Sequence, residues 1–165
     1  MNQAIYASLS ADYEYVDDDT HTEISNYIVS ENDVVVSIVG TIGLTAIIDG
    51  TLESANLTEN CVKITNLRKL TPEYLLLFLR SEDGRNQISM GTVGAVQSKL
   101  PIKNIRTLSI PILPDNEQSE LSESLRTFFT RISSNINQIK ALIELRDTLL
   151  PKLMSGELDV ADLNL

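Results

Sequence analysis

The chain has 165 residues, enough for one domain with a hydrophobic core and an appendage. Apolar residues make up 42% of it, which excludes wholesale disorder, and its longest apolar runs (34–39 and 75–79) are far too short to span a membrane. The net charge is −10, the lone Cys61 excludes an internal disulfide and a thiolate metal cluster, and MNQAIYASLS has neither the basic flank nor the apolar stretch of a secretory signal, so a cytoplasmic protein is expected.

Residues 1–23 are polar and acidic, with the run Asp17-Asp18-Asp19, and read as an irregular entry segment with a starting strand at 4–9. Segments 24–29 and 34–39 are rich in β-branched residues and are predicted strands, with Ser30-Glu31-Asn32-Asp33 turning between them. The second is apolar on successive residues, the pattern of a strand buried on both faces. Gly40-Thr41-Ile42-Gly43 follows, then predicted strands at 44–48 and 61–65 with an Asp49-Gly50 turn between them. Thr71-Pro72-Glu73 opens a helix: Thr71 caps it, and Pro72 at the first helical position loses no needed hydrogen bond. Tyr74, Leu75, Phe78 and Leu79 share a face, which Ile88 extends. Gly91-Thr92-Val93-Gly94 is a flexible break, 102–105 a helical turn and 107–112 a short strand.

Pro111 and Pro114 bracket a change of regime, and Asp115 with Gln118 resembles a capping box. Leu121, Leu125, Phe128, Ile132, Ile136, Ile139, Ile143 and Leu150 then recur at steps of three, four or seven, the seam of an amphipathic helix. A helix over 115–150 would be roughly 54 Å long. Pro151, which has no N–H and clashes with the preceding turn, is expected to end or kink it, and Gly156 to suit the last turn. The preceding part is too compact to cover such a helix, so some of the stripe should meet another helix. The expected fold is α+β, a mixed globular domain over 1–113 followed by a long helix with a short tail over 114–165.

Charge is unevenly spread. Residues 1–60 hold eleven Asp/Glu and no Lys/Arg. Residues 63–106 hold Lys63, Arg68, Lys69, Arg80, Arg85, Lys99, Lys103 and Arg106 against Glu73, Glu82 and Asp83. Phosphate binding needs local positive potential rather than a positive total, although a solvated surface is the commoner reading of such charges.

No active site is visible. His21 is the only histidine, so neither a His-based metal cluster nor a triad can form around it. The three aspartates lack the spacing of an EF-hand loop, and Cys61 reads as a small buried hydrophobe. No P-loop or dinucleotide fingerprint occurs, and no cofactor is expected. Two glycine-containing loops remain. Gly40-Thr41-Ile42-Gly43 can bring backbone N–H groups to a phosphate, though a tight turn is the default reading. The stretch 91–99 ends in Gln97, Ser98 and Lys99, which suit a base edge or a phosphate.

Four segments, in this order, resemble the specificity subunit of type I restriction–modification systems: ENDVVVSIVGTIGLTAII, TPEYLLLFLRSEDGRNQI, GAVQSKLPIKNIRTLSIPILPDNEQ and LRDTLLPKLMSGELDV. The last is the most specific, and the resemblance covers 24–160. Such a subunit carries two target-recognition domains, each reading half of a split DNA site. Long helices separate them, pack antiparallel and dock methyltransferase subunits. The resemblance thus implies one recognition domain plus one spacer helix. The early Trp and Gly-containing strands that usually open such a domain are absent, which fits either a truncated N-terminal part or a degenerate copy of the domain.

On this basis the chain is expected to be a non-catalytic DNA-recognition component. Its expected partners are double-stranded DNA, a methyltransferase subunit and a second spacer helix, from another copy or another specificity subunit; no membrane is expected. Candidate DNA-binding residues are Ser37, Gly40, Thr41, Gly43, Lys63, Arg68, Lys69, Gln97, Ser98, Lys99 and Lys103, and the helix stripe named above is the candidate interface. The alternative is a protein-interaction module of the same assembly, an assembly factor or competitor without DNA binding, favoured by the acidic first sixty residues. A small carboxylate enzyme is remote, because nothing pairs the acids with a nucleophile or base.

Overall fold

The structure, a computed structural model, describes residues 4–9 and 13–158. The chain divides into two compact units, 1–122 and 123–165. This division falls inside the long helix, whereas the expected domain boundary lies at 113/114.

The first unit is built on a small antiparallel sheet. Strand β1 (Val34–Ser37) is central, between β2 (Thr45–Ile47) and β3 (Cys61–Ile64). Val35 stands opposite Ala46 on one side and Lys63 on the other. All four β1 residues are buried, as the successive apolar residues Val34-Val35-Val36 predict, with Ser37 the polar exception. On one face Val35 packs in a cluster with Ala7, Val29, Ala46, Ile48 and Leu52. Helix α2 (Pro72–Arg80) packs against β2 and β1 and buries Leu75, Leu76, Phe78 and Leu79. Fully burying one such side chain contributes about 1.5–3 kcal/mol, so this two-sided core dominates the unit's stability.

Three predicted strands are corrected. Segment 24–29 forms a 3₁₀ turn (Ser25–Tyr27) and a single bridge from Ile28 to Asn56. Its backbone bonds to the 54–57 loop instead of to a strand: Leu57 donates to Tyr27, and Ser54 to Val29. Segment 4–9 makes one parallel bridge, Tyr6 with Ile47, then turns as Ala7–Leu9 to bury Ala7. Segment 107–112 joins no ladder. Side chains hold it instead: Gln87 brackets Ser109 through its N–H (2.8 Å) and carbonyl (3.1 Å), and the Tyr74 hydroxyl donates to the Pro111 carbonyl (2.8 Å).

The acidic entry contains a short helix, α1 (Asp18–Glu23), that the irregular reading missed. The Asp17 carboxylate caps it by accepting from the Thr20 N–H (2.7 Å), and that bond lowers the carboxyl's pKa.

Thr71 and Pro72 start α2 as predicted, with the Thr71 hydroxyl accepting from the Tyr74 N–H (3.3 Å). The apolar face does not run through to Ile88 in one helix. Ser81 is extended, closing α2 and capping α3 (Glu82–Gly91) by accepting from the Gly84 N–H (3.1 Å). At this corner Gly84 lies against the end of α2. A β-carbon there would collide with the Phe78 carbonyl oxygen and sit 2.9 Å from the Leu79 Cα. Helix α4 (Ile102–Ile105) occupies its predicted span.

Helix α5 (Asp115–Met154) runs past its expected end. Pro151 lies inside it, because one lost N–H on an exposed last turn leaves only the Asp147 carbonyl to water, and Ser155 still donates to the Pro151 carbonyl (3.0 Å). Gly156, at φ +73°, closes the helix as expected. The capping box does not form: Asp115 is already helical, and both polar atoms of the Gln118 side chain are enclosed without a hydrogen-bond partner among the described residues. In the second unit Phe129 is buried while Leu125, Ile132 and Ile136 are half-buried. Every residue from 137 to 158 is exposed. No helix among the described residues is long and apolar enough to cross a membrane.

Candidate nucleic-acid interface

The β1–β2 hairpin closes through residues 38–44. Gly40 and Gly43 sit at φ +75° and +81°, a region that side-chain-bearing residues avoid, so the glycines are required by this turn. Ser37 organises it. Its buried hydroxyl donates to the Thr41 carbonyl and accepts from the Leu44 N–H (2.9 Å). Gly43 rests on Ile88 of α3, where a β-carbon would come within 3.2 Å of that side chain. A β-carbon at Gly40 would meet nothing within 4 Å, so its backbone faces open space.

The second candidate loop is a tight excursion. Val93 and Lys99 exchange two backbone hydrogen bonds of 2.9 Å, and Gly94 turns at φ +102°. A β-carbon on Gly94 would lie 2.5 Å from the Gln97 carbonyl oxygen. The two loops meet. Lys99 bridges Val39 in antiparallel register, and the Leu100 N–H donates to the Ile38 carbonyl (2.9 Å). Asn104 of α4 clamps the base of the second loop by donating to the Gly91 carbonyl (2.6 Å).

These contacts bring Gly40, Thr41, Gly43, Gln97, Ser98 and Lys99 to one end of the sheet. Thr41, Gln97 and Lys99 are exposed, as are Lys103 and Arg106 just beyond them. From Gly84 to Pro114 the chain carries Arg85, Lys99, Lys103 and Arg106 and no carboxylate, so this stretch bears an excess of positive charge despite the acidic total.

The other predicted cations are placed differently. The Lys63 ammonium turns inward to the Ile28 carbonyl. Arg80 does the same on a larger scale. Its guanidinium donates to the Thr45 hydroxyl (3.1 Å), the Thr45 carbonyl and the Ala4 carbonyl (2.6 Å), tying the N-terminal segment to β2 and α2. Burial lowers its pKa from the ordinary arginine value. Arg68 and Lys69 are exposed but follow β3 off the opposite end of the sheet from the Gly40–Gly43 turn. Four strand residues separate the two ends by about 13 Å. Cys61 is half-buried, and burial raises its thiol pKa. No cluster of three or more His, Cys, Asp or Glu able to hold a metal occurs among the described residues.

On the helix stripe, Leu121, Leu125, Ile132 and Ile136 are half-buried, whereas Phe128, Ile139, Ile143 and Leu150 are exposed. Phe128 is 66% exposed, and its neighbour Phe129, which the period did not select, is buried. Both phenylalanines lie near the stripe's arc, so spacing alone could not choose between them. Val96 is a further exposed residue that sequence reasoning passed over, and Arg106, counted there among the cations but not among the candidate site residues, is exposed as well. The carboxylate-free stretch was the available signal for Arg106; for Val96 there was none.

A family model described as "Type I restriction modification DNA specificity domain" matches residues 5–145. No curated protein matches the chain. Among solved structures, the fold is similar to the Type-I restriction-modification system S subunit from M. genitalium, with a TM-score of 0.58 and 20% sequence identity. The match covers 82% of this chain and 36% of that one, so the chain spans little more than a third of that subunit's length. The likeness is one of fold.

Proposed function

The chain belongs to the type I restriction modification DNA specificity domain family, and from that membership we propose that it reads one half of a split DNA site and catalyses nothing itself. The observation that carries this reading is the backbone pairing of Val39 with Lys99, which joins two glycine-shaped loops beside three exposed cations. Lys99, Lys103 and Arg106 suit phosphates, whose contacts fix register but carry no sequence information. Thr41 and Gln97 suit base edges, where hydroxyl and amide groups donate and accept. Gly40, open above its backbone, lets a strand approach closely, and Ser37 holds that turn in shape. Arg68 and Lys69 serve phosphates further along the duplex, while Lys63 acts through the fold.

Helix α5 supplies the assembly function. Its exposed half presents Ile139, Leu142, Ile143, Leu145, Leu149, Leu150, Leu153 and Met154 without a partner in the chain's own described residues. A second spacer helix and a methyltransferase subunit are the partners we assign to it. Replacing both Ile139 and Ile143 by Asp is expected to abolish self-association or methyltransferase binding while the first unit stays folded. Solution mass by analytical ultracentrifugation and a pull-down with the methyltransferase subunit read this out; unchanged behaviour in both would remove the interface role of the stripe.

The same exposed half, together with an acidic first sixty residues, favours a second reading, an interaction module without DNA binding. Selection of bound duplexes from a random library, with the methyltransferase subunit present and absent, separates the two. An enriched half-site or its symmetric repeat supports recognition. A stable complex with the methyltransferase that enriches no sequence supports the interaction module.

A further inference from the structure

Val96 stands at the outermost point of the second loop and is fully exposed, at 103% of its reference area. A single exposed valine is ordinary on a protein surface. The setting of this one is not. The loop beneath it is pinned at both stems by the Val93–Lys99 backbone pair, shaped by Gly94 at a dihedral that only glycine adopts easily, and tied across by the Ser98 hydroxyl, which donates to the Gly94 carbonyl (3.3 Å). Val96 itself makes no contribution to that scaffold. Lys99 places it next to the Gly40–Gly43 turn, at the end of the sheet where the cations gather. Of the tip side chains, Ala95 is short and Ser98 is spent on the loop. Gln97 can exchange hydrogen bonds, which leaves Val96 as the one bulky apolar group offered.

A stiff loop presenting a branched hydrocarbon loses little ordering entropy on contact. On a duplex, one apolar feature of the major groove differs between base pairs: the 5-methyl group of thymine. We propose that Val96 is a specificity-determining residue that packs its isopropyl group against a thymine methyl in the major groove. The proposal rests on the DNA-recognition reading above and adds the base feature that is read and the side chain that reads it.

The test removes the methyl from either side. The full chain, in complex with the methyltransferase subunit where binding requires it, is titrated with the duplex selected from the random library and with copies in which each thymine is replaced singly by deoxyuridine. At one position the wild-type chain is expected to lose about fourfold in affinity, the effect of one apolar carbon. Val96→Ala is expected to bind the parent duplex several-fold more weakly and to be indifferent to deoxyuridine at that position, with an unchanged salt dependence because no phosphate contact is lost. Val96→Ala alters a fully exposed side chain, and an unchanged thermal transition checks that it folds. Wild-type binding that is insensitive to deoxyuridine at every position, or Val96→Ala that keeps the wild-type methyl preference, would overturn the assignment while leaving DNA recognition intact. Failure of the wild-type chain to select any duplex would overturn both, and the absence of binding itself marks that case.

Discussion

Gly84→Ala is expected to destabilise the first unit by about 3 kcal/mol, the upper end for overpacking a tight site, despite alanine's advantage of about 1 kcal/mol over glycine within a helix. The reason is local and steric. Ser81 ends α2 and begins α3 with no intervening loop, and Gly84 is the residue at which the second helix passes over the first. The atoms a methyl would strike are backbone, the Phe78 carbonyl oxygen and the Leu79 Cα, and neither can swing aside as a side chain could. That carbonyl also accepts from the Ser81 N–H (3.0 Å) and hydroxyl (2.7 Å), so moving it breaks the corner. Displacing the corner would disturb Leu79 and Ile88, both buried, and through Ile88 the support under Gly43. A urea titration gives the answer as a lower midpoint with an unchanged slope. An equal or higher midpoint would mean the two helices separate freely at this corner.

The second large effect concerns binding. Replacing Lys99 and Lys103 together by Glu is expected to weaken duplex affinity at least tenfold at low salt. If each lysine neutralises one phosphate, the slope of log affinity against log salt should shrink by about 1.8. Both side chains are exposed, and the Lys99 backbone keeps its bonds to Val93 whatever side chain it carries, so the melting transition should hardly move. Replacing Arg68 and Lys69 together by Glu is the informative comparison. It changes charge by the same amount at the far end of the sheet, and a smaller loss is expected there. Equal affinity and slope for the wild type and the Lys99 and Lys103 double variant would remove the cationic loop from the interface. Arg80→Glu is a poor probe of DNA contact, because its guanidinium is committed to Thr45 and Ala4.

How much of this was legible in the residues depended on whether the decisive contact was local. Thr71-Pro72 announced α2 because cap and first turn lie within four residues of each other. The successive valines Val34-Val35-Val36 announced β1, since burial on both faces calls for apolar residues at neighbouring positions. The turn glycines flagged both loops. The β-branched segment 24–29 misled, because strand propensity is context-dependent and this backbone bonds to the 54–57 loop rather than to a sheet edge. Pro151 misled for the opposite reason: a missing hydrogen bond matters little at an exposed helix end. Lys63 and Arg80 counted as surface charge in the sequence, yet both reach inward to backbone carbonyls.

By itself the sequence determined the three strands of the sheet, the start of α2, the amphipathic character of the terminal helix, the two loops worth attention and the family to which the chain belongs. Caps, hydrophobic period and glycine turns act over a few residues, so they are written in the order they are used. Only the tertiary structure decided that the two loops share one end of the sheet, that Arg68 and Lys69 leave by the other, and that Val96 stands clear at a tip. Those facts rest on strand register and on the pairing of Val39 with Lys99, contacts between residues far apart in the chain. No local pattern encodes such a pairing, because closing it depends on what the rest of the core leaves free.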